Sequence, residues 1–188
     1  MLYQIVALLL EVSCGLVAGA CLLRLYMQWL RVPMSARSGN PLGRFVFALT
    51  DWIVLPLRRA LPALGGVDSA SLVAAWAMQV LEFFLLWLLG GMAAGAVAVP
   101  VLALFGVARL ALAGLSAAVI VYALLSWLAN PSPLADVVER LVAPPLAPIR
   151  RVVPLVGGVD LSPLALLVVL QVASIVLGHL QSAVLLGL

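Results

Sequence analysis

The chain has 188 residues, of which 66% are hydrophobic and only 9% charged, with a mean hydropathy of +1.27 and a net charge of +3. Soluble domains run at roughly 45–50% apolar and about 25% charged, so a water-solvated fold is excluded and lipid must be the solvent. Ten arginines stand against seven acids with no lysine, a pattern that base-composition bias explains.

A helix needs about 20 apolar residues to cross a hydrocarbon core of roughly 30 Å. Four segments qualify, at about 2–23, 70–90, 107–128 and 163–186. The first begins Met1-Leu2-Tyr3-Gln4-Ile5 without a basic stretch, and Glu11 interrupts it with no small-residue cleavage site after it. It reads as a retained span. Cys14 and Cys21 lie seven residues apart on this helix, about 10 Å at the helical rise. That is too far for a disulfide, so small apolar packing residues are expected. Gly15 and Gly19 form a Gly-x-x-x-Gly step suited to close helix packing or self-association.

The loop after the first span holds Arg24, Arg31, Arg37, Arg44, Arg58 and Arg59, and the loop after the third holds Arg140, Arg150 and Arg151. The connection between spans two and three offers only Arg109. The positive-inside rule therefore expects both long loops in the cytoplasm and both termini outside.

These loops carry helix signals. Asn40-Pro41 and Ser132-Pro133 are each an N-cap followed by proline at the first helical position. The first loop helix is expected over Pro41 to Leu55, ending before Pro56. Arg44 and Asp51 share a face, and Asp136 and Arg140 form an i,i+4 pair. Both helices read as amphipathic elements on the cytoplasmic surface.

After them comes a near-verbatim recurrence. Pro56-Leu57-Arg58-Arg59, Pro62, Gly65-Gly66-Val67-Asp68 returns 92 residues later as Pro148-Ile149-Arg150-Arg151, Pro154, Gly157-Gly158-Val159-Asp160. The glycines permit a sharp reversal, and Asp68 and Asp160 are placed to cap the next span. The expected architecture is thus all-α, with four transmembrane helices as two tandem parallel repeats of a two-span hairpin with amphipathic cytoplasmic helices. The first unit covers 1–91, an outer connection 92–106, and the second unit 107–188.

Two readings stand for the arginine doublets. Arg58, Arg59, Arg150 and Arg151 are either topological anchors salt-bridged to Asp68 and Asp160, or a surface for anionic headgroups or acidic partners, which guanidinium forks bind well. A second set is intramembrane. With Trp29 aligned on Trp127, an offset of 98 sets Glu11 against Arg109, a pair that could close across the axis or reach water at an interface. Gln79 and Gln171 lie 92 apart, and Glu82 shares a face with Gln79. Interhelical hydrogen bonding is the default for such glutamines, with a polar path as the other reading. His179 stands alone, without metal spacing. No nucleotide loop or nucleophile motif is present, so no enzyme, cofactor, metal or nucleic-acid role is expected.

The ordered series Asn/Ser-Pro-Leu, Pro-[Leu/Ile]-Arg-Arg, Pro, Gly-Gly-Val-Asp and Ser-Pro-Leu resembles the YggT family of small bacterial inner-membrane proteins, which has plastid relatives. The resemblance covers essentially the whole chain. Asp51-Trp52 departs from the family's acidic-or-polar residue before proline, and Ser69-Ala70-Ser71 stands where the second copy has Leu161-Ser162-Pro163. The resemblance implies a role in envelope or osmotic homeostasis, cell-division regions or membrane assembly, with no enzymatic activity carried over. The favoured function is therefore a non-enzymatic inner-membrane scaffold or assembly factor whose partners are anionic lipids, other membrane proteins or a second copy of itself. A small channel or carrier for osmotic or ion homeostasis is the rival.

Overall fold

The structure, a computed structural model, describes residues 1–35, 40–61, 68–90, 96–128, 132–153 and 160–186. Among them the regular structure is helical: α1 Leu2–Trp29, α2 Pro41–Ala60, α3 Ser69–Leu89, α4 Ala98–Leu128, α5 Pro133–Arg150 and α6 Ser162–Leu186. Four helices, α1, α3, α4 and α6, are long and apolar enough to cross a membrane. The motif residues Pro62, Gly65, Gly66, Pro154, Gly157 and Gly158, and Arg37, lie outside the described residues.

Both cap signals work as the sequence implies. Asn40 Oδ1 accepts from the backbone N–H of Leu42 (3.0 Å) and Gly43 (3.3 Å). Ser132 Oγ accepts from Ala135 N–H at 3.2 Å. Each satisfies donors that a helix start leaves open.

The end of α2 departs from expectation. α2 does not stop at its expected end before Pro56 but runs on to Ala60; α5, for which no end is expected, likewise contains Pro144, Pro145 and Pro148. A proline removes one helical hydrogen bond and crowds the preceding turn. Tertiary packing overrides that cost here. Gly43, Val46, Thr50 and Val54 form one buried stripe of α2, and Val138, Val142 and Leu146 one of α5. The doublets are therefore the C-terminal turns of helices, where cations complement the exposed carbonyls.

The third membrane helix also starts early. α4 begins at Ala98, nine residues before the expected 107, and absorbs most of the presumed outer connection. Pro100 falls in its first turn, where backbone N–H groups have no helical acceptor and proline costs little.

Three clusters hold the bundle together. Cys14, Ala18 and Cys21 of α1 pack with Val54 of α2 and with Ala70, Ala74, Ala75 and Met78 of α3. Such small side chains let membrane helices approach closely. Val119 of α4 packs with Val138, Val142 and Leu146 of α5 and with Leu166 and Leu170 of α6. The third cluster joins the halves: Met27 and Val32 at the end of α1 meet Val137 and Leu141 of α5. There Arg31 holds φ 53°. Its N–H bonds the Gln28 carbonyl and that of Val32 the Met27 carbonyl, a Schellman ending. A side chain in this left-handed conformation costs about 1–2 kcal/mol where glycine costs nothing.

Candidate functional site

Both doublets divide their labour. Arg58 reaches Asp68 through two nitrogens, Nε to Oδ1 at 3.3 Å and Nη2 in close contact with Oδ2. Arg150 Nε meets Asp160 Oδ2 at 3.0 Å. The sequence separation is ten residues in each case. Arg59 and Arg151 are exposed and make no ion pair among the described residues. Of the two readings, salt bridging describes the first arginine of each doublet; all four are exposed, Arg58 at 39% and Arg150 at 41%, and it is the lack of an ion pair that sets the second apart.

The surroundings of the two bridges differ. Asp68 is buried and also accepts from Ser71 Oγ at 2.6 Å. It takes no backbone N–H through its side chain, so it does not cap α3 in the expected way. Arg24 lies 4.0 Å from it through Nε. Arg24 is only 2% exposed although it carries a charge. Its Nη1 donates to Thr50 Oγ1 and to Asp51 Oδ1, both at 2.7 Å, and its guanidinium stands 4.8 Å over the Phe47 ring. Its Nε has no hydrogen bond. One guanidinium therefore ties α1 to α2 and to the start of α3, between two carboxylates. Asp51 serves Arg24 rather than Arg44, which is exposed.

In the second half Tyr122 stands 98 residues after Arg24, the offset that aligns Trp127 with Trp29. Its hydroxyl accepts from Arg150 Nη2 at 2.7 Å, and its ring lies 5.9 Å from that guanidinium. Val142 and Ala143 occupy the places of Thr50 and Asp51. Asp160 caps α6 as expected, accepting from Ser162 N–H at 2.9 Å.

Both carboxyls sit below the usual aspartate range, for different reasons. At Asp68 burial pushes the value up, but Arg58 and Ser71 together outweigh it. At Asp160 contact with Ser162 lowers it first, and Arg150 adds to this against a burial penalty.

The intramembrane set is not assembled as the sequence suggests. Arg109 donates to Gln181 of α6, and Glu11 is exposed with no ion pair to it. The closure across the axis is therefore not made, and both side chains are exposed, which leaves the interfacial reading standing. Gln79 bonds Glu82 of its own helix at 2.7 Å rather than a neighbouring one. Both are buried, and Gly106 of α4 comes so close that an added Cβ would stand 2.0 Å from Gln79 Oε1. Gln171 is exposed, so the two glutamines are not equivalent in setting. Asp136 and Arg140 make no ion pair. His179 is exposed, its Nδ1 2.8 Å from the Ile175 carbonyl. Among the described residues no group of three or more His, Cys, Asp or Glu could hold a metal.

Arg24, Thr50 and Tyr122 were not singled out from sequence. Arg24 carries a readable signal, a lone cation between Leu22-Leu23 and Leu25 in an apolar run, one turn before Trp29.

A model of the CCB3/YggT family matches residues 3–89 and 101–181. The chain belongs to the CCB3/YggT family. A family relative from Vibrio alginolyticus, an uncharacterized protein in the proC 3' region, is 33% identical over 162 residues, covering 85% of each chain. The uncharacterized protein YggT of Escherichia coli K12 is 35% identical over 155 residues, covering 80% of this chain and 77% of its own. An uncharacterized protein of Pseudomonas aeruginosa is 35% identical over 147 residues, with 76% and 73% covered. No solved structure matches this YggT-family chain. With four apolar helices it is a multi-pass membrane protein.

Proposed function

We propose that this YggT-family chain is a non-enzymatic scaffold or assembly factor of the bacterial inner membrane, built as two tandem hairpin units. Its long loops face the cytoplasm and its termini the outside. Its recognition surface is the pair of exposed arginines at the ends of α2 and α5. The observation that carries the reading is the split within each doublet. Arg58 and Arg150 are paired with Asp68 and Asp160, while Arg59 and Arg151 beside them, exposed like their neighbours, make no ion pair among the described residues. A topological signal alone needs no such fixed placement next to an ion pair. Anionic headgroups at the cytoplasmic leaflet offer each arginine about 1 kcal/mol. Exposed Phe45, Trp52 and Leu55 on α2 support a helix lying in the interface.

The test is titration of the detergent-purified full chain with short-chain phosphatidylglycerol and phosphatidylcholine. Arg59→Ala with Arg151→Ala should weaken phosphatidylglycerol binding about fivefold per arginine and leave phosphatidylcholine binding alone. Unchanged binding would remove the lipid form of the proposal. Cross-linking from these helix ends in native membranes tests the form in which the partner is another membrane protein.

A second reading, a small channel or carrier for ions or osmolytes, is favoured by one observation. Glu82 is buried in α3 beside Gln79, and ionisable residues inside a span are costly and often functional. Flux in proteoliposomes that Glu82→Gln abolishes would support it, and no flux would leave the scaffold.

A further inference from the structure

An apolar groove of about 610 Å³ runs between α1 and α4. That is a volume typical of small-molecule sites, which span roughly 300–1,000 Å³. Gly19 and Gly114 thin its walls, and a Cβ added at either meets nothing within 4 Å. α3 packs against both α1 and α4 yet contributes nothing to the lining. Tyr26, Trp29 and Leu141 line the end of the groove nearest α5. The Tyr26 hydroxyl is fixed there by the Leu141 carbonyl, 2.8 Å away.

That end of the bundle carries exposed charges of both signs, with Asp136 and Glu139 on α5 beside two arginines. Arg31 follows Trp29 by two residues and Arg140 immediately precedes Leu141, and both are exposed. Arg31 also occupies the left-handed position of a Schellman ending, where glycine is the ordinary and unstrained choice. The chain keeps a guanidinium at a place where its backbone would be easier without one. A wholly apolar transmembrane helix entering the groove would bring nothing to meet the arginines. A lipid would bring hydrocarbon for the groove and a phosphate for its rim.

We infer that the groove seats one acyl chain of an anionic glycerophospholipid, with its phosphate held by Arg31 and with Arg140 as the second cation at the rim. The site rests on the orientation proposed above, which gives this end of the bundle to the cytoplasmic leaflet. It does not involve Arg59 or Arg151.

Native mass spectrometry of the full chain, exposed to equimolar phosphatidylglycerol and phosphatidylcholine, tests it. The parent retains phosphatidylglycerol preferentially. Arg31→Gly lowers that preference about fivefold, the worth of one surface arginine, with an unchanged or higher melting temperature because the backbone relaxes. Gly114→Leu fills the groove and removes the retained lipid, while Arg59→Ala with Arg151→Ala leaves the Gly114→Leu-sensitive lipid in place. Equal retention of the two headgroups, undiminished preference in Arg31→Gly, or lipid still held by Gly114→Leu would each overturn the site. So would a dimer that Gly114→Leu dissociates, since a second copy would then own the groove. If only the Arg59/Arg151 variant keeps all its lipid, the arginine-end proposal fails and the groove stands.

Discussion

Arg58–Asp68 and Arg150–Asp160 are the same bridge built in different surroundings. The first lies against a buried guanidinium, Arg24, with Thr50, Asp51 and Ser71 completing the shell. The second has Tyr122 where Arg24 would be, an apolar Val142 in place of Thr50, and an aspartate one-third exposed. Each half thus joins its loop helix to its second span by an ion pair. Only the first half adds a buried cation, and it needs a second carboxylate, Asp51, to offset that cation's desolvation. The second half gains the same connection from a neutral hydroxyl and aliphatic packing.

The largest test of this difference removes the matching acids. Breaking a buried pair by deleting one partner costs about 3–5 kcal/mol, and Arg58 is 39% exposed, which discounts it. Asp68→Ala should therefore lose about 3 kcal/mol in unfolding titrated with a denaturing detergent. Asp160→Ala should lose about 1 kcal/mol, as expected for an exposed pair and a cap. Equal losses would mean that Arg24 does not distinguish the halves.

At the seam between the halves, Gly106→Ala drives a Cβ into Gln79 Oε1 and forces that side chain off buried Glu82. It should cost about 2 kcal/mol, the usual scale of overpacking. Gly114→Ala on the same helix meets nothing and should be neutral or slightly stabilising.

A smaller effect is expected from Tyr122→Phe, which leaves Arg150 without its hydroxyl acceptor. A loss near 1 kcal/mol is the ordinary worth of such a bond. No change in melting would show that the hydroxyl contributes nothing to the second bridge.

The pH dependence sharpens the contrast further. Asp68 and Asp160 both have lowered folded pKa values. Their stabilisation is then fully present above the unfolded value of about 3.9 and is lost as pH falls through the folded values. The melting difference between the parent and Asp68→Asn should be constant at neutral pH and close below about pH 4. A gap that persists in strong acid would mean that the carboxylate charge is not what stabilises this junction.

The spans and loop-helix starts were legible because each rests on a local rule. Twenty apolar residues, or Asn40-Pro41 and Ser132-Pro133, mean the same thing in any fold. The bridges were legible as a possibility, since Arg and Asp recur at fixed separation. Helix ends were not. Pro56 reads as a stop, yet α2 runs on to Ala60, with Leu57 beyond the proline packed against the first core cluster. Arg24 was counted with the loop cations because a sequence does not tell which turn of a helix a neighbouring helix will cover. The partnership of Glu11 with Arg109 is absent for a similar reason, as a shared sequence offset says nothing of which way each helix turns its side chains; Arg109 donates to Gln181 instead.

The central claim is that the arginines of each doublet have separate tasks, and four single alanine variants at 58, 59, 150 and 151 test it in one phosphatidylglycerol titration accompanied by melting curves. Arg58→Ala and Arg150→Ala should melt earlier and still bind the lipid, while Arg59→Ala and Arg151→Ala should melt like the parent and bind it more weakly. Loss of lipid binding at 58 and 150 with none at 59 and 151 would contradict the account.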